Sequence, residues 1–322
     1  MFVIIGTTTA DLYIPIQGPA VRPSAEGFRS SNVVFTDAPP RLLMGGNGAN
    51  SAYVLGALGV PTALCSAVGE DTFGHTLSAW LQARGVYLDG LARSDTHATS
   101  SSVILSSDVT SQVVFHHLGA SARIRPEEIP EQVLAEAPLL LATSYSLVPG
   151  LRRGGFAKVL GRTDEAGGIT ALDIGPAIGD PVTLDEVEPL LPHTQYLLGN
   201  THEVCALTGA EHWETAAEEL LDAGARNLII KRGRDGASLR GLDGGADVPG
   251  FDVAANIAVG AGDAFNAGFL CGAQQGQTLQ QAIRFGNAVA ALVVSGENGV
   301  LDAPTREQVE TFLAVRSQSV RT

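Results

Sequence analysis

Val259-Gly260-Ala261-Gly262-Asp263-Ala264-Phe265 is the stretch on which the reading of this chain turns. A turn with two glycines runs into small residues, Asp263-Ala-Phe-Asn-Ala-Gly-Phe-Leu-Cys-Gly, which predict a helix. Glycine allows the tight turn and the close approach of a ligand. The first amides of such a helix find no acceptor within it. They point outward with the positive end of the helix dipole and form an anion site. Asp263 sets a carboxylate beside that site. A phosphate pocket next to a proton acceptor is what phosphoryl transfer to a hydroxyl requires. The ordinary alternative is a tight turn with an Asp in the first helical turn, and the features that decide between the two lie elsewhere in the chain.

The 322 residues are 45% hydrophobic, enough for one large α/β domain, or one domain with a smaller appendage. A net charge of −14 argues against non-specific nucleic-acid binding, which needs basic patches. A phosphate ligand must then be held locally, by backbone amides, a few Lys or Arg, or a metal ion. Cys65, Cys205 and Cys271 are far apart and form no Cys-x-x-Cys, so they read as buried free thiols and not as a zinc or disulfide framework. Met1-Phe-Val-Ile-Ile-Gly6 reads as a first strand and not a signal peptide. No run reaches the roughly 18 apolar residues of a membrane helix. The expectation is a cytoplasmic protein with no membrane partner.

Phe2–Ile5 predicts a buried strand. Residues 11–43 are broken by Pro15, Pro19, Pro23, Pro39 and Pro40, with Ser31-Asn-Val-Val-Phe35 as a candidate strand of an exposed flap. A helix is expected after Gly45-Gly-Asn-Gly-Ala-Asn50, ending near Gly59, then a strand over 61–68 and an amphipathic helix over 72–84. Ser100–Leu105 and Gln112–His117 predict a hairpin. Beyond residue 138, strand-length apolar runs at 139–142, 169–172, 196–198 and 228–231 alternate with helical stretches. That is the signature of a mostly parallel sheet with helices on both faces. Gly6, Gly69, Asp173, Asn200 and Arg232-Gly233 fall at the carboxyl ends of those strands, where ligands sit in such sheets.

Gly45-Gly-Asn-Gly-Ala-Asn50 is a second glycine cluster at a helix start, and the chain has no Walker A loop. It suits either an anion or close packing. Asn50 suits a polyol, because its amide both donates and accepts. Asp11, after the first strand, can accept hydrogen bonds from two sugar hydroxyls, but taken by itself it reads as a solvated turn residue. Asn200-x-x-Glu203 has the spacing of a capping box. Adjacent His116 and His117 in a strand point to opposite faces, against a paired metal site.

Together these segments resemble the ribokinase-like (PfkB) carbohydrate kinases. The pieces come in family order: Gly6…Asp11, Gly45-Gly-Asn-Gly-Ala-Asn50, Val68-Gly-Glu-Asp-Thr-Phe-Gly74, Phe115-His-His-Leu-Gly-Ala120, Asn200-Thr-His-Glu203, Lys231-Arg-Gly-Arg-Asp-Gly236 and Gly260-Ala-Gly-Asp263. The resemblance implies a ribokinase-like three-layer α/β sandwich, spanning 1–322 as one domain, with a mostly parallel central sheet and a small β-sheet lid from about 11–43 and 98–118. It implies Asp263 as catalytic base, with the amides of Ala261, Gly262 and Asp263 as the anion hole and Gly260 in the same catalytic turn. It implies a sugar held by Asp11, Gly45, Gly46, Asn47, Asn50 and His117. ATP falls to Asn200, Lys231, Gly233, Gly236 and Asn287, Mg²⁺ to Glu203 through water, and a homodimer forms through the lid.

The match departs in places. Ile257-Ala258 replaces an Asp-Thr pair that helps bind a monovalent cation in many members, which leaves potassium activation open. Asp173-Ile-Gly-Pro176 lacks the Asn and Arg common at that strand end. Asn47 stands where ribokinases proper carry Lys, and Thr143-Ser-Tyr145 replaces an acidic residue. The expected activity is ATP- and Mg²⁺-dependent phosphorylation of a primary hydroxyl of a small neutral sugar. The rivals are a nucleoside kinase, with Phe28, Phe35, Tyr53 and Phe115 as a base slot, and a non-catalytic sugar-binding regulator. A carboxylate at a helix N-terminus should also be a weaker base, a tension that the loose transition state tolerates.

Overall fold

Phe2 and Ile4 join one hydrophobic cluster and Val3 and Ile5 join another, so the first strand is covered on both faces. The computed structural model describes all residues except 17–32, 34, 35, 37, 108–111, 153, 177, 181, 243 and 319–322, with backbone alone at 317–318. The strands are β1 (Phe2–Ile5), β2 (Thr9–Pro15), β3 (Arg41–Gly45), β4 (Thr62–Gly69), β5 (Leu91–Ser94), β6 (Ser100–Ser106), β7 (Gln112–His117), β8 (Leu139–Ala142), β9 (Ile169–Asp173), β10 (Tyr196–Asn200), β11 (Asn227–Lys231), β12 (Ala237–Gly241) and β13 (Gly244–Val248). The α-helices are α1 (Asn47–Ala57), α2 (Thr72–Ala83), α3 (Glu131–Ala135), α4 (Pro149–Arg152), α5 (Gly155–Glu165), α6 (Leu184–Val187), α7 (Thr201–Thr208), α8 (Trp213–Asp222), α9 (Ala261–Gln274), α10 (Leu279–Ser295) and α11 (Arg306–Gln318).

The large sheet runs β13-β12-β11-β10-β9-β8-β1-β4-β5. It is parallel from β11 to β5, with β12 and β13 added antiparallel at one edge. Helices α1, α2, α9 and α10 supply the cluster on one face, and α5, α7 and α8 supply the other, giving three layers. The chain leaves β1 toward β4 on one side and returns to β8 on the other. The strand order therefore reverses between β1 and β8, and a crevice opens beyond their carboxyl ends, which is where such sheets bind ligands. Gly6 and Thr143 follow those two strands.

A second sheet, β3-β2-β6-β7, stands apart. The expected hairpin is present as antiparallel β6 and β7. The proline-broken stretch holds more order than its composition suggested. Thr9–Tyr13 pairs antiparallel with Arg41–Gly45 and parallel with β6, so Asp11 is a strand residue and not a turn residue. The strand expected around 31–35 falls largely outside the described residues. The β12–β13 hairpin and β5 were not anticipated. They are short edge elements whose order comes from pairing to a formed neighbour.

Helices α9 and α10 meet backbone to backbone. A Cβ on Gly268 would lie 2.9 Å from the Gly286 Cα and 2.8 Å from a Val289 methyl. This contact sets the direction of α9, and so the place of its N-terminus. Gly268→Val overpacks the joint, for which about 1–3 kcal/mol is typical. The expected outcome is a lower urea midpoint without a change in m-value.

Candidate active site

Asp263 lies in the first turn of α9, and both of its oxygens are held from α1. Asn47 Nδ2 donates to Oδ1 at 2.9 Å and Asn50 Nδ2 donates to Oδ2 at 2.8 Å. The two glycine clusters, more than two hundred residues apart, therefore meet at one carboxylate. Asp11 is near enough for the Asp263 charge to raise its pKa. The Asp11 carboxylate rests against Gly45, where a Cβ would fall 2.1 Å from Oδ2, so a side chain there would displace the carboxylate. Gly46 caps α1 with a left-handed backbone, and Gly260 does the same for α9.

Asn47 is itself oriented. Ser144 donates to Asn47 Oδ1 at 3.3 Å and accepts the Thr7 amide at 3.2 Å, with the Thr7 hydroxyl 2.9 Å away. With its oxygen accepting from Ser144, the Asn47 amide must turn its nitrogen to Asp263. Ser144 has φ 63°, the only positive φ among described residues other than glycine, at the end of β8. Such a backbone is strained and is held only where surrounding contacts enforce it. Sequence reading noted Thr143-Ser-Tyr145 only as a replaced acidic residue. A positive φ carries no signal in the identity of a serine.

Burial dominates the electrostatics. It pushes Asp263 up to about 6, against the bonds from Asn50 and Asn47 that favour its charged form. The expected weakening of this base by the helix N-terminus is outweighed, because the group is nearly sealed from water. Burial likewise pushes Asp11 and Glu203 each up to about 7. Buried Asp11 Oδ1 and Asn50 Oδ1 have no hydrogen-bond partner among the described residues. Buried acceptors are normally satisfied, so these two mark where donors from a ligand belong.

Other expected positions divide. The Ala261 amide donates to the Ala258 carbonyl at 3.2 Å, so of the amides expected to hold an anion those of Gly262 and Asp263 remain. Asn200 and Glu203 form the capping box in full: Glu203 N–H donates to Asn200 Oδ1 at 2.8 Å and Asn200 N–H to Glu203 Oε2 at 2.7 Å. One Glu203 oxygen remains for other work. No group of three or more His, Cys, Asp or Glu suited to a metal exists among the described residues. A single carboxylate fits Mg²⁺, which keeps several waters and takes substrate phosphates as ligands. Gly233 and Gly236 turn the chain after β11, both with positive φ. Asn287 donates to the Val248 and Pro249 carbonyls at 3.2 and 3.1 Å, tying β13 to α10, so its nitrogen holds the fold and not a nucleotide.

His117 is a correction. Register aligns Asp11 with Ser102 and Ser102 with His116, and Ser102 Oγ lies 3.0 Å from His116 Nδ1. His116 therefore shares the face of Asp11, and His117 points to the opposite face with Ser101. Strand alternation was legible in the sequence, but its phase relative to Asp11 needed the pairing. Two candidates for a nucleoside base slot fail in the same way. Tyr53 is buried in the main core, and Phe115 lies on the opposite face from His116. Phe28 and Phe35 lie outside the described residues.

The sequence profile of pfkB family carbohydrate kinases matches residues 6–306. The chain belongs to the PfkB family. Among its relatives, an ATP-dependent ribose-1-phosphate kinase from Halopiger xanaduensis is 32% identical over 84% of this chain and 87% of its own. An aminoimidazole riboside kinase from Salmonella typhimurium is 28% identical over 85% and 88%. The solved structure of Arabidopsis thaliana ribokinase complexed with ribose and ATP aligns with TM-score 0.80 at 23% identity, covering 97% of this chain and 98% of that one. The fold is ribokinase-like, and the chain is a carbohydrate-type kinase transferring phosphate from ATP to an alcohol. No helix among the described residues is long and apolar enough to cross a membrane. Where many members of this family carry Asp-Thr, Ile257 of this kinase is buried against Tyr13, Leu43 and Ile104. An apolar contact beneath the second sheet occupies a position expected to offer oxygens to a cation.

A pH test follows from the clamp on Asp263. As the expected base, Asp263 must be ionised, so kcat is predicted to rise with pH through its pKa. The Asn50 bond favours the ionised form, so Asn50→Ala raises that pKa. The acid limb of kcat, measured at saturating sugar, should move to higher pH.

Proposed function

We propose that this kinase transfers the γ-phosphate of ATP to a primary hydroxyl of a small neutral sugar. The observation that carries the reading is the clamped carboxylate of Asp263 beside the unpaired oxygens of Asp11 and Asn50. Sugar hydroxyls donating to those oxygens bring one primary hydroxyl to Asp263. Asp263 takes the hydroxyl proton while the sugar oxygen bonds to the γ-phosphorus. The bond to the bridging oxygen breaks and its electron pair leaves on ADP, so no covalent phosphoenzyme forms. The Gly262 and Asp263 amides hold the transferring group. Magnesium, held through water by Glu203, neutralises phosphate charge when bound. Gly233 and Gly236 let the chain approach the adenosine.

Support for a neutral acceptor is the row beside Asp11, which holds Ser102 and His116 and no Lys or Arg. Arg41 lies two residues along β3 from that row, over the Tyr13 ring, with its guanidinium donating to the Glu297 carbonyl. Asp263→Asn should lower kcat by about 10²–10⁴-fold, the usual worth of a general base, with sugar binding nearly intact by calorimetry. Full activity in that variant removes the base. Wild-type turnover should be measured on free pentoses and hexoses, ribose 1-phosphate and nucleosides, with and without potassium. A preference for ribose 1-phosphate or a nucleoside overturns the neutral-sugar assignment, and no turnover on any acceptor favours the binding-protein rival.

The second sheet, as a lid over the sugar, also offers a dimer contact. Its edge strand β7 exposes Val113, Val114 and Phe115, the last at 62%, with Leu118 just beyond. Contiguous exposed apolar side chains on an edge strand mark an association surface. Light scattering should give a dimer for the wild type and a monomer for Phe115→Asp. A wild-type monomer excludes the contact.

A further inference from the structure

Lys231 ends β11 at the start of the turn assigned to the nucleotide, but its side chain leaves that turn. Nζ lies 2.7 Å from Asp173 Oδ2 and 3.6 Å from where a Cβ on Gly262 would stand. The ammonium is thus beside the first turn of α9 and not beside Gly233 and Gly236. Arg232, the next residue, turns its guanidinium over the Trp213 ring. Asp173 is fixed from three directions, accepting from Lys231, from the Asn266 amide and from the Gly175 N–H at 2.7 Å.

The pair is lopsided. The Asp173 side chain is 2% exposed and the Lys231 side chain 13%, so the carboxylate is the more deeply sealed of the two. An ammonium has three donors, and Asp173 engages one. Glu203 and Asp263 also act on Lys231, and together with Asp173 they hold its pKa up despite burial. It stays charged where phosphate must sit. Asp173-Ile-Gly-Pro176 carries no arginine of its own, so the positive charge beside it comes from β11, reaching across the end of β10.

We propose that Lys231 is a catalytic residue, its ammonium positioned by Asp173 to bind the transferring phosphoryl group beside the Gly262 and Asp263 amides. This rests on the kinase reading and deepens it. As the bond to ADP lengthens, charge on the phosphoryl oxygens meets a fixed cation and two amides in a site poor in water. Proton transfer remains with Asp263, and Lys231 exchanges no proton.

The test separates phosphoryl binding from a contact to adenosine and from a purely structural pair. Lys231→Met should lower kcat by about 10²–10³-fold, comparable to losing an oxyanion donor, with the sugar KM unchanged. Calorimetry should show weaker ATP binding and unaltered AMP binding. Lys231→Met alone leaves Asp173 buried without its cation, so Lys231→Met with Asp173→Asn is the companion variant. It should melt near the wild type and remain slow, whereas Lys231→Arg should retain part of the rate. Wild-type turnover in the double variant would reduce Lys231 to a partner for Asp173. Equal losses of ATP and AMP affinity would return it to the nucleoside. The ATP-against-AMP comparison needs no acceptor, so it stands even if wild-type turnover on every sugar fails.

Discussion

The double hydrogen bond from Asn47 and Asn50 to the Asp263 carboxylate is the contact on which the rest depends. It joins the starts of two helices that approach the crevice from different parts of the chain. Everything that fixes either helix therefore bears on that carboxylate. Thr7 and Ser144 fix Asn47 from the ends of β1 and β8, where the strand order reverses. The glycine contact between α9 and α10 fixes Asp263 from behind. A strained serine at that reversal is understandable as the cost of aiming one amide.

The site gathers carboxylates in a chain already of net charge −14. Asp11, Asp173, Glu203 and Asp263 lie within mutual influence, and burial pushes three of them upward. An acidic crevice is an unwelcoming place for ATP unless positive groups are placed at the phosphates. In the proposed site, backbone amides at the start of α9 would do this without a formal charge, and Lys231 would add one. Burial also resolves the tension at Asp263: in a wet turn the helix dipole would make it a poor base, and in a sealed one desolvation wins.

The small sheet shows how one element serves two purposes. On one face it carries Asp11, Ser102 and His116 toward the crevice, and on the other Ala10 and Met44 join the main core. Tyr13, Leu43 and Ile104 extend the crevice face into an apolar patch closed by Ile257. That residue links the sheet to the turn before α9 through packing, at the place where relatives of this fold were expected to use an ion.

Much of this was legible in the residues. Hydrophobic runs of strand length and their spacing specify a parallel sheet with covering helices, because apolar periodicity is a local property. The glycine clusters and Asp263 announce an anion site for the same reason: helix amides and glycine freedom follow from sequence neighbours alone. What tertiary structure decided is which way side chains face and what they meet. The phase of His116 against Asp11 depends on pairing to β6, the reach of Lys231 depends on β10 and on β9 beyond it, and the left-handed Ser144 depends on Thr7 and Asn47. Each is set by contacts between residues far apart in the chain, and no local pattern encodes them.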